Sequence, residues 1–292
     1  MGNPFRRTAT TTGPQGPDLP LSAFQARRLH QLVTEAFDER GVHVSDVGDR
    51  VVDERGRGLQ LRDLASECAA EPVGRWPDLV RRHVQVAVAP GPTLEQLTEH
   101  TLAESCVLRL VPTATLPPGW DPAAPLLTPD LTTVMGIDLG TEALTPSADA
   151  LARRAPDLPW RERALDNLRV RAAELPLHHE AGPDFDVVLG ESGLTASLAL
   201  VLDDLLARTG RRDQGRGVLV GVPYRHQVVL RVVDGPVSGR ALARMGDYLR
   251  STHAVAPGPV SPLVHWVSDG TWRPVTRAGD RLDPEVAEAL GI

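Results

Sequence analysis

The last third of the chain contains an ordered series of strand-like and helix-like segments that narrows the range of folds more than any other part. Strands are predicted at Phe185–Leu189, Val218–Val222, Gln227–Val233, Leu263–Val267 and Trp272–Val275, and amphipathic helices at Leu194–Leu206 and Gly239–Leu249. Strands follow one another directly as well as alternating with helices. This order favours an α+β fold over a doubly wound parallel sheet.

The earlier part of the chain shows the same mixture. Ser22 and Gln25 stand at capping-box spacing before an apolar helical face, and a polar turn separates two apolar segments, Val42–Val52 and Gly58–Leu61. The first pattern predicts a helix and the second a β-hairpin. We therefore expect mixed, largely antiparallel sheets covered by amphipathic helices.

Proline and glycine indicate where the chain divides. There are 26 of each, about 18% of the residues against an average near 12%. Five prolines fall between residues 113 and 129, where a regular element is not expected. The prediction is a disordered leader at 1–18, an N-terminal α+β lobe at 19–120 and a C-terminal α+β lobe at 121–292.

The chain has no lysine, because all 31 basic residues are arginine. P-loop, kinase, Ser-x-x-Lys and pyridoxal Schiff-base chemistry are therefore excluded. The two cysteines, Cys68 and Cys106, form no Cys-x-x-Cys pair, which argues against cysteine-rich zinc sites and iron–sulfur clusters. We expect buried thiols, no cofactor and no metal.

Charge and hydropathy argue against two classes of partner. The net charge of −7 provides no cationic field for nucleic acid or an anionic membrane surface. The longest apolar segments are far shorter than the roughly 20 residues that span a bilayer, and no secretory signal is recognisable. A cytoplasmic location is expected.

A glycine-flanked serine follows one predicted strand. Gly190-Glu191-Ser192-Gly193 stands where a nucleophile elbow would place its serine, but Leu194 occupies the position of the final glycine. Ser192 or Thr195 is instead expected to cap the following helix. The alternative is a hydrolase in which Ser192 acts with Glu191 and with His226 or His178 as base.

Two groups of residues are candidate binding residues. Tyr224, Arg225 and His226 form a tight link between two predicted core strands, a place where loops often carry function. Arg211, Arg212 and Arg216 form the densest basic cluster, and arginine forks suit carboxylate or phosphate groups. The expected partner is a protein or a small anionic ligand, although a solvated loop also explains the arginine cluster.

Two further motifs have simpler structural explanations. His178-His179-Glu180, with Asp184 and Asp186 nearby, offers metal-ligand types, but adjacent histidines point in different directions and the spacing of a zincin is absent. The segment Met135–Thr141 resembles the first phosphate-binding strand of sugar-kinase ATPases. Too few residues follow it for the two lobes of that fold, so a strand running into a turn is expected.

Several short strings, in order, carry a family resemblance. They are Val51-Val52-Asp53 with 59–64, Ala164–Leu168, Ala196–Leu206, Val220–Arg225 and Ser268-Asp269-Gly270. Over roughly residues 50–275 the chain resembles a bacterial family, the YtpQ-like proteins (domain of unknown function 1444). The resemblance implies no catalytic residues. Since no nucleophile, metal or phosphate constellation is complete, the sequence favours a non-catalytic binding or regulatory module, with the Ser192 hydrolase as the alternative.

Overall fold

The structure, a computed structural model, covers most of the chain. It describes residues 20–47, 50–53, 58–88, 92–116, 126–140, 143–277 and 281–292. The predicted leader at 1–18 lies outside these residues. Within them, no helix combines the length and the apolar character that crossing a bilayer requires.

The chain divides into two compact units, residues 1–89 and 90–292. The boundary predicted near residue 120 is wrong. Strand β4 (Cys106–Pro112) pairs antiparallel with β5 (Leu131–Asp138) along its whole length, so a division at 120 would separate two paired strands. Proline density in this segment therefore did not mark the end of a domain.

The first unit packs three helices with a small sheet. Its elements are α1 (Ala23–Asp38), β1 (Val44–Val47), β2 (Arg50–Asp53), β3 (Gly58–Gln60), α2 (Leu61–Ala70) and α3 (Trp76–Val88). The capping box at Ser22 is present, and β2 pairs with β3 as the hairpin pattern predicted. Buried Phe37, Leu64 and Trp76 form the centre of its core.

The second unit contains the remaining elements. They are α4 (Glu99–Ser105), β4, β5, β6 (Ala143–Leu144), α5 (Ala148–Arg154), α6 (Trp160–Glu174), β7 (Leu177–Glu180), β8 (Asp186–Gly190), α7 (Leu202–Arg208), β9 (Val218–Gly221), β10 (Gln227–Val232), α8 (Gly239–Val255), β11 (Val264–Ser268), β12 (Thr271–Pro274), β13 (Thr276–Arg277), β14 (Arg281–Leu282) and α9 (Pro284–Leu290). Six strands form one sheet in the order β12-β11-β9-β10-β8-β7. Every strand pair in the described part of the chain is antiparallel, so the α+β class is confirmed and the sheets are not mixed.

Helices cover both faces of the six-stranded sheet because its side chains alternate between two cores. Val218 and Val220 face a core shared with α6 and α7, whereas Leu219 faces a core shared with α8 and α9. Strands β4 and β5 carry a further core against α4 to α6.

The helix predicted at Leu194–Leu206 is two helices. Thr195–Val201 is a 3-10 helix, and α7 begins only at Leu202. The backbone N–H of Ala196 donates to the carbonyl of Arg225 at 3.0 Å, and the Ser197 hydroxyl accepts from the N–H of Leu110 at 3.0 Å. These tertiary contacts hold the segment against β4 and β10 and explain its departure from α-helical geometry.

Candidate functional site

The loop between β9 and β10, residues 222–226, is held by backbone hydrogen bonds from two sides. On one side Gly190 donates to the carbonyl of His226 at 3.0 Å, next to the contact between Ala196 and Arg225. On the other side the N–H of Arg225 donates to the carbonyl of Gly258 at 3.0 Å. Three loops, 190–194, 222–226 and 256–261, therefore meet at Arg225. We call this meeting point the Arg225 site.

The imidazole of His226 is engaged within the Arg225 site. Its Nε2 accepts a hydrogen bond from Nε of Arg225 at 3.0 Å, so the neutral ring carries its proton on Nδ1. Burial lowers the pKa of His226, and the charge of Arg225 lowers it further, against the opposing effect of the backbone of residues 190–192. At neutral pH His226 is therefore uncharged, and its acceptor nitrogen is occupied.

The nucleophile-elbow residues are not arranged for catalysis. The Ser192 hydroxyl accepts from the N–H of Leu194 at 3.1 Å, which is a local turn contact, and Thr195 donates to the carbonyl of Ser192 at 2.7 Å. The side chain of Glu191 is exposed. His178, the other predicted base, pairs with Glu180. The predicted capping role is wrong, because Leu194 occupies the N-cap position and neither Ser192 nor Thr195 caps the helix. Ser192 instead orders the turn before the 3-10 helix.

Two glycines make room for the side chain of Arg225. A Cβ on Gly258 would lie 2.7 Å from Cδ of Arg225, and one on Gly193 would lie 3.6 Å from the same atom. Gly258 also has a φ of +63°, a backbone conformation that favours glycine. The aliphatic part of Arg225 is therefore enclosed by backbone from two of the three loops.

Arg109 is a functional candidate that the sequence reasoning missed. It lies in the middle of β4, between buried Leu108 and Leu110, and its Cδ would lie 2.7 Å from a Cβ on Gly136 in β5. Burial lowers its pKa, the charge of Arg225 lowers it further, and Asp138 has the opposite effect. An arginine inside an otherwise apolar strand was the available signal.

Tyr224 is half-buried in the loop 222–226. Its ring lies 6.0 Å from that of His226, and its backbone forms a bridge with Pro259. Burial raises the pKa of Tyr224, and Tyr248 raises it further. Next to it, Gln227 is 2% exposed and donates from Nε2 to the Tyr248 hydroxyl at 2.7 Å. The structure thus brings Tyr224, Arg225 and His226 together, and the charge of Arg225 also acts on Arg109.

The predicted cluster of Arg211, Arg212 and Arg216 is exposed, and one of its arginines is paired with a carboxylate. Arg211 donates from Nε and Nη2 to the two carboxylate oxygens of Asp186, at 2.7 and 2.9 Å, and Asp186 is 5% exposed. Burial raises the pKa of Asp186, but the bonds from Arg211 outweigh it and hold the pKa below its usual value. Arg216 donates to the carbonyl of Ala289. All three arginines are exposed, which agrees with the predicted solvated loop.

The two adjacent histidines lie in strand β7, not in the loop that was expected. His178 is exposed beside Glu180, while His179 faces Asp186, so they point in different directions as predicted. Within the described ranges, no three His, Cys, Asp or Glu side chains are close enough together to hold a metal ion.

Comparison with known proteins does not assign the Arg225 site to a family. No protein-family model, no curated protein and no solved structure matches the chain. The resemblance to the YtpQ-like proteins therefore stays a prediction, and the functional argument rests on the Arg225 site itself.

Proposed function

We propose that this protein is a non-catalytic binding or regulatory module of the bacterial cytoplasm that holds a small ligand at the Arg225 site. The observation that carries the proposal is the hydrogen bond from Nε of Arg225 to Nε2 of His226. It leaves His226 without a free basic nitrogen, which general-base activation of Ser192 would require. The residues at the meeting of the three loops are positioned for recognition and not for acyl transfer.

The buried state of both cysteines supports the cytoplasmic part of the proposal. Cys68 and Cys106 are free thiols. Free thiols are typical of a reducing compartment, whereas secreted proteins usually pair their cysteines.

Native mass spectrometry of the protein isolated from its own host tests the binding role. We expect a small-molecule adduct on the wild-type chain that is lost in Arg225→Met and kept in Arg212→Met. The second variant removes an exposed arginine of the same chain and serves as the matched control. Equal adduct occupancy in the two variants would place the ligand elsewhere.

A fluorophosphonate probe, which labels activated serines, tests the hydrolase alternative. We expect no labelling of Ser192 in the folded protein, because its hydroxyl accepts from the Leu194 N–H and no histidine is available as base. An adduct that appears on the wild-type chain and disappears in Ser192→Ala would contradict the non-catalytic proposal.

A further inference from the structure

An apolar groove follows one face of helix α8 in the second unit. Its cavity has a volume of about 290 Å³, which is at the lower end of the range for small-molecule sites. The helix contributes Gly239, Leu242, Ala243, Gly246 and Arg250, whose spacing places them on one face. The remaining lining residues are all apolar: Pro262, Leu263, Val264, Val275, Leu282 and Ile292. We call this cavity the α8 groove.

The α8 groove is elongated, and its rim leaves large apolar side chains exposed. The lining residues of the helix extend from Gly239 to Arg250, about 16 Å along the helix axis. At the rim, Leu282 is 38% exposed and Ile292 is 43% exposed. A long apolar ligand would remove this surface from water, which favours binding in proportion to the area covered.

The charge of the α8 groove lies at one end of this length. Among the lining residues that the structure describes, Arg250 alone is charged. Its Nη2 donates to Asp247 at 2.6 Å. Its Nη1 lies over Gly246, since a Cβ on that glycine would be 3.2 Å from Nη1. One terminal nitrogen of Arg250 is therefore bonded to Asp247, while the other lies over a residue that lines the groove.

The N–H groups of Nη1 remain available to a ligand. Within the described ranges of the chain, the guanidinium of Arg250 bonds only with Asp247. Guanidinium groups bind carboxylates through charge-assisted hydrogen bonds. The walls of the groove offer no other charged side chain among the described residues, so the charged end of a ligand is expected at Arg250.

We infer that the α8 groove binds an amphipathic carboxylate, with an unbranched alkyl chain lying along the helix and the carboxylate accepting from Nη1 of Arg250. The chain length follows from the cavity volume. At roughly 30 Å³ for each methylene-sized group, the groove holds about eight to ten carbons. This ligand site is separate from the Arg225 site and does not depend on the function proposed for it.

Isothermal titration calorimetry of the full chain with decanoate, below its micellar concentration, tests the inference. We expect one-to-one binding with a Kd below about 1 mM. Each methylene removed from the ligand should weaken binding about two- to fourfold. Decyltrimethylammonium, which has a similar tail and the opposite charge, should bind at least about tenfold more weakly. Equal binding of the two probes, or no binding of decanoate, would overturn the inference.

Two variants of one ion pair separate recognition of the carboxylate from fold stability. Arg250→Gln should weaken decanoate binding about fivefold or more, because it removes the charged donor. Asp247→Asn should strengthen binding about two- to fivefold, because it removes the carboxylate that competes for the guanidinium. Both variants break the same ion pair, so affinities that change in the same direction would show a structural effect and overturn the inference.

Arg240→Gln is the matched control for charge. Arg240 is an exposed arginine of the same helix and is not among the lining residues of the groove. Its replacement should leave the affinity for decanoate unchanged. A loss equal to that of Arg250→Gln would mean that only the overall charge of the helix attracts the ligand, which would contradict a specific contact at Arg250.

A variant with a filled groove tests the location of the alkyl chain. Ala243 lines the groove and is exposed, so Ala243→Phe occupies the groove without entering the core. It should abolish decanoate binding and leave Tm within about 2 °C of the wild type. Unchanged binding would place the ligand elsewhere. If the wild type does not bind decanoate and Ala243→Phe alters the oligomeric state in analytical ultracentrifugation, the groove is an interface between copies, and the inference is wrong.

Discussion

Replacing Asp130 by asparagine should destabilise the second unit strongly, although the side chain lies in a loop. The carboxylate accepts hydrogen bonds from the hydroxyls of Ser261 and Thr128 and lies 3.3 Å from Nε2 of His265. Ser261 and His265 are both fully buried. Asp130 therefore ties the start of β5 to the segment that leads into β11.

The size of the effect follows from these three contacts. An asparagine amide has one acceptor oxygen, so at least one donor among the three partners loses its acceptor, at a cost of about 1–3 kcal/mol. The remaining bonds lose their charge assistance, which costs about 1 kcal/mol more. The expected loss in the free energy of unfolding is about 3 kcal/mol. With a urea m-value of about 3 kcal/mol per M, the midpoint should fall by about 1 M.

The effect should depend on pH in a defined direction. Burial raises the pKa of Asp130, but its hydrogen bonds with His265, Ser261 and Thr128 outweigh burial and hold the pKa well below its usual value. A carboxyl whose pKa is lower in the folded state stabilises that state above its unfolded pKa of about 3.9 and loses this contribution as the pH falls further. The difference between wild type and Asp130→Asn should be complete at pH 7 and shrink below about pH 4.

Urea unfolding followed by tryptophan fluorescence measures this difference, since the ring of Trp272 lies 5.8 Å from that of His265. Asp247→Asn is the matched control, because Asp247 is exposed and pairs with Arg250 on the same helix. Its midpoint should change by less than about 0.2 M. Equal midpoints for the two variants, or a gap that stays constant from pH 7 to pH 3, would refute the reasoning.

Three other predictions test the packing of the two units. Burial raises the pKa of Cys68 to about 12 and that of Cys106 to about 11, so a thiol reagent at pH 8 should modify both only after urea is added; rapid reaction of the native protein would contradict this. Gly221→Ala should lower the free energy of unfolding by about 1–3 kcal/mol, seen in thermal denaturation, because its Cβ would overlap the side chain of Leu249. Trp76→Phe should accelerate amide exchange in α2 and α3, since it removes the indole donor of the carbonyl of Cys68; unchanged exchange would contradict the role of this bond.

Local patterns predicted the local structure well. The Ser22 capping box and the turn at Ser268-Asp269-Gly270 are both present, and Asp269 and Gly270 have φ values of +49° and +72°. These features depend on residues within a few positions of one another. Sequence spacing is therefore sufficient to identify them.

Pairing register was harder to predict. Trp266 and Trp272 flank that turn at equal distances in the sequence, but the residue opposite Trp272 is Val267. A one-residue offset moves a side chain to the other face of a sheet. Trp266 accordingly donates to the carbonyl of Arg216, while Trp272 contacts His265.

The Arg225 site could be predicted only in part from the sequence, because its contacts join residues that are far apart along the chain. The loop residues Tyr224, Arg225 and His226 were singled out by position alone. Arg109 could be connected to them only through the 3-10 helix that contacts both β4 and β10. The pairing of Arg211 with Asp186 could not be predicted for the same reason. Asp186 lies in β8, which precedes α7 in the sequence, whereas Arg211 follows α7.

The segment 256–261 is bonded to Asp130 and also contacts the backbone of Arg225. The hydroxyl of Ser261 donates a hydrogen bond to the carboxylate of Asp130, and the backbone N–H of Ser261 donates to the carbonyl of Val222 at 2.9 Å. Three residues earlier, the carbonyl of Gly258 accepts the N–H of Arg225. The backbone that encloses Arg225 is thus fixed in part by a carboxylate that lies outside the three loops of the Arg225 site.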